Sequence, residues 1–115
     1  MKVGKIAEIT SSAIIFEPEN FDDFDFFYVV AADLMSEIML ETKDCSIMIT
    51  GLINTQVIRT AEMMDIFAII FVRGKELRSE IIDLAQDRGI AVLKTPLSMF
   101  EVCGRLYESG LKSGH

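Results

Sequence analysis

The 115-residue sequence contains no tryptophan, two prolines, two cysteines and one histidine. A standard zinc site needs four nitrogen or sulfur ligands, and this sequence cannot supply four from its histidine and cysteines. Cys45 and Cys103 stand far apart in apolar surroundings. We expect both to be buried, reduced thiols, because free cysteine packs as a small hydrophobic residue. No metal ion or other cofactor is predicted.

Long apolar runs are also missing, since none approaches the ~18 residues that a membrane-spanning helix needs. The opening MKVGKIAEI lacks the apolar stretch and the small-residue cleavage site of a secretory signal. Lys and Arg total 11 against 18 Asp and Glu, which gives a net charge of -7 with no basic stripe. We therefore expect a cytoplasmic protein that binds neither nucleic acid nor an anionic membrane.

Apolar residues make up half of the chain, and in its second half they form continuous rather than alternating runs. SIMIT, FAIIFV and IAVLKT have the pattern of strands that are buried on both faces of a parallel sheet. Helical periodicity separates these runs. The predicted strands are 13–17, 25–31, 46–50, 68–72 and 90–94, the last three parallel. The predicted helices are 2–9, 34–42, 54–64, 79–88 and a last one from 98 to about 108.

This order of elements predicts an α/β fold. We expect a three-layer α/β/α sandwich with right-handed crossovers around a mostly parallel, five-stranded sheet. One domain over residues 1–115 is expected. Residues 1–44 would form a helix, a strand pair and a second helix, and residues 45–111 would form the alternating part.

The helix ends carry recognisable signals. Asp33 is placed to cap the helix over 34–42. Ser98 and Glu101 form a capping box for the last helix. The tail KSGH is expected to fray.

Three turns follow the three parallel strands: TGLIN at 50–54, RGKELRS at 73–79 and KTPLS at 94–98. We refer to them as the first, second and third turn. Open α/β folds bind ligands at the carboxyl ends of their strands, where these turns should meet. Glycine lets the backbone approach a ligand, and a helix N-terminus with nearby cations favours an anion. The candidate ligand-binding residues are Thr50, Gly51, Asn54, Thr55, Gln56, Arg73, Gly74, Lys75, Thr95 and Ser98.

A purely structural interpretation of the first turn stays open. Asn54 would then act only as a helix N-cap, with Ile53 and Ile58 as its hydrophobic staple. Gly51 would serve only the turn.

The sequence shows no catalytic set. Its one histidine, His115, is the terminal residue, and no Ser, Thr or Cys has a histidine nearby to activate it. Asp22, Asp23 and Asp25 match no known metal-binding loop, so an exposed acidic turn is expected. We predict that the chain is not an enzyme.

Two stretches, MITGLINTQVIRTAEMMDIFAIIFVRG and IIDLAQDRGIAVLKTPLSMFEVCGRLY, resemble the DRTGG domain family. Its members occur alone, in some phosphotransacetylases and in some CBS-containing pyrophosphatases. Many of them carry Asp-Arg where this sequence has Leu52-Ile53, and Thr-Gly-Gly where it has Val72-Arg73-Gly74.

The whole chain is also similar to the N-terminal domain of HPr kinase/phosphorylase and, more distantly, to that of the Mur ligases. There too a short helix and a hairpin-like strand pair precede the alternating part. Kinase activity is not implied, because it belongs to another domain that contains a P-loop.

The resemblance implies a non-enzymatic regulatory or protein-interaction module. The alternative is a sensor of a small ligand, a nucleotide or other anion, that uses the crevice between the three turns. A homodimer is expected, because related domains occur in self-associating proteins and the apolar content exceeds what a small core hides. The candidate dimer residues are Met35, Met39, Leu52, Ile53 and Met63. Leu52 and Ile53 could instead pack beneath the helix over 54–64.

Overall fold

The computed structural model describes all 115 residues. The helices are α1 (Val3–Ile9), α2 (Met35–Ile38), α3 (Thr55–Met63), α4 (Ser79–Arg88), α5 (Met99–Glu108) and a 3-10 helix, Phe21–Asp23. The strands are β1 (Ala13–Phe16), β2 (Tyr28–Ala31), β3 (Ser46–Thr50), β4 (Ala68–Phe71), β5 (Ala91–Lys94) and β6 (Lys112–Ser113). None of the helices has the length and apolar character needed to cross a membrane.

The strands form one sheet in the order β1-β5-β4-β3-β2-β6. The pairs β2–β6, β2–β3, β3–β4 and β4–β5 are parallel, and β1 runs antiparallel to β5 at one edge. In register, Met48 pairs with Ile69, and Ile69 pairs with Val92. The predicted α/β class and the parallel run of β3, β4 and β5 are confirmed, although the sheet has six strands rather than five.

The sheet separates two apolar layers. On one face α1 and α5 cover residues such as Ile49, which packs in one cluster with Leu106. On the other face α2, α3 and α4 cover residues such as Met48, which packs with Ile58. Successive side chains of a strand point to opposite faces, so a strand covered on both sides reads as a continuous apolar run.

The expectation of a hairpin-like strand pair is wrong. β1 and β2 are separated by three strands, because the connection between them crosses from one side of the sheet to the other. Phe21, Phe24 and Phe26 anchor that connection, and the ring centroids of Phe24 and Phe26 are 4.7 Å apart. Aromatic burial therefore directs the chain across the sheet instead of into a tight turn.

The C-terminal tail is ordered, so the prediction that it frays is also wrong. The Gly114 N–H donates to the Val29 carbonyl, and its own carbonyl accepts from the Lys43 N–H, both at 2.8 Å. A Cβ on Gly114 would stand 2.6 Å from Ser46 Oγ. The tail packs here because glycine allows this close approach.

Two further details differ from expectation. α2 covers only Met35–Ile38, far less than the predicted 34–42. Cys45 and Cys103 are free thiols as predicted, but each is half-buried rather than fully buried.

Candidate functional site

The three turns that follow the parallel strands meet at one edge of the sheet. The Arg73 N–H donates to the Leu97 carbonyl, and the Gly74 N–H donates to the Thr95 carbonyl, both at 2.8 Å. These hydrogen bonds join the second turn to the third. We call the space bordered by the three turns the carboxyl-end crevice.

Gly51 is the centre of the crevice and is buried. The Lys75 ammonium donates to its carbonyl at 2.8 Å, and the Asp33 carboxylate accepts from its N–H at 2.7 Å. The guanidinium Nη2 of Arg73 lies 2.6 Å from the point that a Cβ on Gly51 would occupy. No side chain other than hydrogen fits beneath Arg73 without moving it, which explains the glycine.

The backbone of Arg73 is left-handed, with a φ of 67°, and Gly74 follows with a φ of 62°. An L-residue other than glycine meets steric strain in this region, of about 1–2 kcal/mol. Family members that carry Thr-Gly-Gly have glycine where this chain has Arg73. Arginine therefore occupies a conformation that glycine adopts without strain.

The cations of the crevice are not neutralised by ion pairs. Arg73 and Lys75 are absent from every ion pair in the chain, whereas Arg78 pairs with Glu80 at 3.4 Å. Asp33 is the one carboxylate that contacts Gly51, so the three side chains around this glycine carry a net positive charge. This arrangement favours an added anion.

The N-terminus of α3 adds backbone donors to the first turn. Asn54 holds the N-cap position, as predicted, but its side chain makes no hydrogen bond to the helix. The backbone N–H groups of Thr55 and Gln56 lack an acceptor within the helix, because the first four N–H groups of any α-helix have no preceding carbonyl to bond. An anion near them would also interact favourably with the helix dipole.

Three other candidate residues already have partners within the chain. Thr50 and Thr95 are fully buried. The Thr50 hydroxyl donates to Asp33 at 3.4 Å, and the Thr95 hydroxyl donates to the Thr10 carbonyl at 2.6 Å. Ser98 Oγ accepts a hydrogen bond from the Glu101 N–H of α5 at 3.3 Å, as the predicted cap. These side chains hold the turns in place, and their role as ligand-binding residues stays a prediction.

Asp33 belongs to the crevice but was not among the candidates. Its expected role as a helix cap is wrong, because the N-cap of α2 is Leu34 and no side chain caps that helix. Asp33 follows the end of β2, as the three turns follow β3, β4 and β5. The missing signal was the parallel pairing of β2 with β3, which brings Asp33 beside Gly51.

The exposed Arg73 and Lys75 side chains contact Gly51 in the crevice, which is not an open cavity. The one cavity of the structure, of about 460 Å³, lies elsewhere, between α5 and the strands β2 and β6. The crevice is a candidate site because of its net positive charge and its backbone donors at the N-terminus of α3.

The proposed dimer residues fall into two groups. Met35 is only 6% exposed and belongs to the core, so it cannot form an interface. Leu52 and Ile53 are half-buried against the core on the α3 side, as the structural interpretation of the first turn expects. Met39 and Met63 are exposed.

A comparison with protein families matches residues 5–109 to the DRTGG domain. The chain belongs to the DRTGG domain family. No curated protein sequence matches it significantly.

This DRTGG domain is similar to the crystal structure of the CBS and DRTGG domains of the regulatory region of Clostridium perfringens pyrophosphatase, complexed with the activator diadenosine tetraphosphate. The TM-score is 0.75 at 20% sequence identity, and the match covers 96% of this chain and 47% of the other. The present chain thus spans about half the length of that regulatory-region chain, and the likeness shows the shared fold.

Proposed function

We propose that this DRTGG domain is a non-enzymatic regulatory module that binds a small anion of the phosphate or nucleotide class in the carboxyl-end crevice. The observation that carries the proposal is Arg73, whose guanidinium lies over Gly51 from a left-handed backbone and has no ion-pair partner. The structurally similar pyrophosphatase region, which binds a polyanionic nucleotide as its activator, lends support.

Two opposing free energies act at Arg73. A left-handed arginine costs about 1–2 kcal/mol of stability relative to glycine. No ion pair within the chain offsets this cost. A charge-assisted hydrogen bond to a ligand contributes about 1.5–3 kcal/mol to binding. Strain that is retained beside cations without ion-pair partners is typical of a ligand site.

Arg73→Gly provides the test. We expect the variant to be about 1 kcal/mol more stable in urea unfolding, because the strain is relieved. We also expect it to bind inorganic pyrophosphate about 10- to 100-fold more weakly by isothermal titration calorimetry, because a cationic donor is lost.

Asp65→Gly is the matched control. Asp65 has a φ of 55° and lies at the amino end of β4, opposite the crevice. The same relief of strain should raise stability and leave pyrophosphate binding unchanged. Equal pyrophosphate affinities for the Arg73→Gly and Asp65→Gly variants would contradict the proposal.

A second candidate function, self-association, is favoured by a separate surface. We define the α2–α3 surface as Leu34, Met39, Leu40 and Met63, whose exposed fractions are 60%, 41%, 83% and 61%. α2 packs against α3, so Met39 and Leu40, which directly follow α2, and Met63, the last residue of α3, belong to neighbouring elements. Exposed apolar clusters of this kind mark protein contacts.

Sedimentation equilibrium tests this second function. A dimer at micromolar concentration should dissociate in the Leu40→Glu/Met63→Glu variant, because burying two carboxylates in an apolar interface is unfavourable. Ile15→Glu is the control, since Ile15 is 41% exposed on β1 at the far edge of the sheet. A wild-type monomer, or a dimer that survives the double substitution, refutes self-association through this surface.

A further inference from the structure

The cavity between α5 and the β2–β6 side of the sheet is separate from the crevice. Val29 and Ala31 of β2 form part of its lining, and Phe100, Gly104 and Tyr107 of α5 form one wall. We call it the α5 groove. Its volume of about 460 Å³ lies within the ~300–1,000 Å³ that small-molecule sites occupy.

The wall that α5 contributes is aromatic with a gap in the middle. Phe100 is 86% exposed and Tyr107 is 74% exposed, although both are large apolar side chains. Gly104 lies between them, and a Cβ on it would meet nothing within 4 Å. Residues seven apart are two turns apart, or about 10 Å along a helix. The gap therefore has room for a planar ring system to lie over the glycine against an aromatic side chain.

The rim of the groove is polar and carries a cation. Lys112 and Ser113 of β6 line the groove, together with His115. Lys112 forms no ion pair in the chain. An unpaired lysine beside an apolar groove, in a chain of net charge -7, gives this site local complementarity to an anionic group.

We infer that the α5 groove is a second small-molecule site, which takes a planar aromatic ring bearing an anionic group. This is the chemistry of a nucleoside monophosphate. The ring lies over Gly104 against Phe100 or Tyr107, and the anionic group is held by Lys112. The inference goes beyond the anion site of the crevice and shares no residue with it.

Cys103 supplies an independent reporter of occupancy. Its half-buried thiol lines the groove, and burial raises the pKa of this thiol above its usual value. The thiol therefore stays protonated near neutral pH and reacts slowly. A ligand in the groove should slow its alkylation further, in a Cys45→Ser background that removes the only other cysteine.

The test is an NMR titration of the amide signals with AMP, adenosine and inorganic phosphate. We expect AMP and adenosine to shift the signals of Val29 and Ala31, with AMP bound more tightly. Phosphate alone should leave these signals unchanged. Lys112→Gln should weaken AMP binding about 10-fold without changing adenosine binding, because only AMP presents an anion to this residue.

Gly104→Leu separates folding from binding. A Cβ at this position meets nothing within 4 Å, and the change replaces a helical glycine, so the variant should be folded and at least as stable as the wild type, with its side chain in the groove. Gly4→Leu is the matched control, since Gly4 lies in α1 and a Cβ there also meets nothing within 4 Å. We expect the Gly104 variant alone to lose the shifts that AMP and adenosine cause at Val29 and Ala31.

Three outcomes overturn the inference. The first is that none of the probes shifts Val29 or Ala31. The second is that AMP shifts only signals of the crevice, such as Gly51 and Gly74, which would support the proposed function alone. The third is that Gly104→Leu changes the sedimentation behaviour while AMP fails to bind the wild type, which would make the groove a protein interface. Loss of pyrophosphate binding in Arg73→Gly, with AMP binding in the groove retained, supports two independent sites.

Discussion

Adding one methyl group at the centre of the crevice, by Gly51→Ala, tests the role of Arg73 without removing its charge. The new Cβ would stand 2.6 Å from Arg73 Nη2 and 3.3 Å from the Asp33 carboxylate. Both atoms belong to side chains, and the guanidinium is the far end of a long, flexible one. We therefore expect the methyl group to displace Arg73 and leave the backbone in place.

The expected change in stability is small because two effects oppose each other. Replacing glycine by alanine in a compatible conformation stabilises a protein by about 0.4–1 kcal/mol through the unfolded state. Losing the packing of an exposed arginine over Gly51 destabilises by a similar amount at most. Anion binding, in contrast, has no opposing effect that would offset the loss. A displaced guanidinium withdraws one charge-assisted hydrogen bond of about 1.5–3 kcal/mol, which weakens anion binding about 10- to 100-fold.

Urea unfolding and pyrophosphate calorimetry on the same samples provide the measurement. Gly4→Ala is the control, because it adds the same methyl group to a glycine with nothing within 4 Å. It should bind pyrophosphate as the wild type does. The reasoning is refuted if Gly51→Ala also binds like the wild type, or if it unfolds, since unfolding would mean that the backbone and not Arg73 gave way.

The remaining predictions concern three single residues. Asp33→Asn should tighten pyrophosphate binding, because the amide oxygen still accepts the Gly51 N–H while the repulsive charge is gone; unchanged affinity in calorimetry would place the anion elsewhere. Thr60→Val should stabilise the fold by about 1 kcal/mol, because the Thr60 hydroxyl is buried without a hydrogen-bond partner and valine keeps its shape; a loss of stability in urea unfolding would contradict this. Burial raises the pKa of the Cys103 thiol, so its contribution to stability is complete below the unfolded pKa of about 8.5 and is lost as the pH rises through the folded value. Cys103→Ala should therefore flatten the decline of stability above about pH 8.5, and an identical decline in both proteins would show that other groups cause it.

The fold was predictable because its signals are local. SIMIT and FAIIFV each form a strand covered on both faces, and burial on both faces requires a continuous apolar run. β6 could not be predicted in this way, because a strand of two residues is too short to show a pattern of apolar residues. Its pairing depends on Gly114, whose missing side chain admits the tail against Ser46.

The crevice was predictable only in part, for the same reason. The sequence pattern predicts three consecutive parallel strands, and the turns that follow such strands meet at their carboxyl ends. The partners of individual side chains do not follow from it. The Thr95 hydroxyl bonds to Thr10, which is 85 positions away, and Asp33 reaches Gly51 only because β2 runs beside β3. Such contacts depend on which elements lie side by side in the folded chain, and no local sequence pattern predicts them.

Arg73 shows how a departure from a family pattern changes meaning once the backbone is known. As a sequence difference, arginine in place of the first glycine of Thr-Gly-Gly argues against a shared ligand-binding mode. The structure adds that this position is left-handed, with a φ of 67°, so the replacement costs stability. The arginine also lies over a buried glycine and beside Lys75, without an ion-pair partner. A costly residue that presents an unpaired cation to the carboxyl ends of parallel strands favours a site with altered chemistry over a site that has been lost.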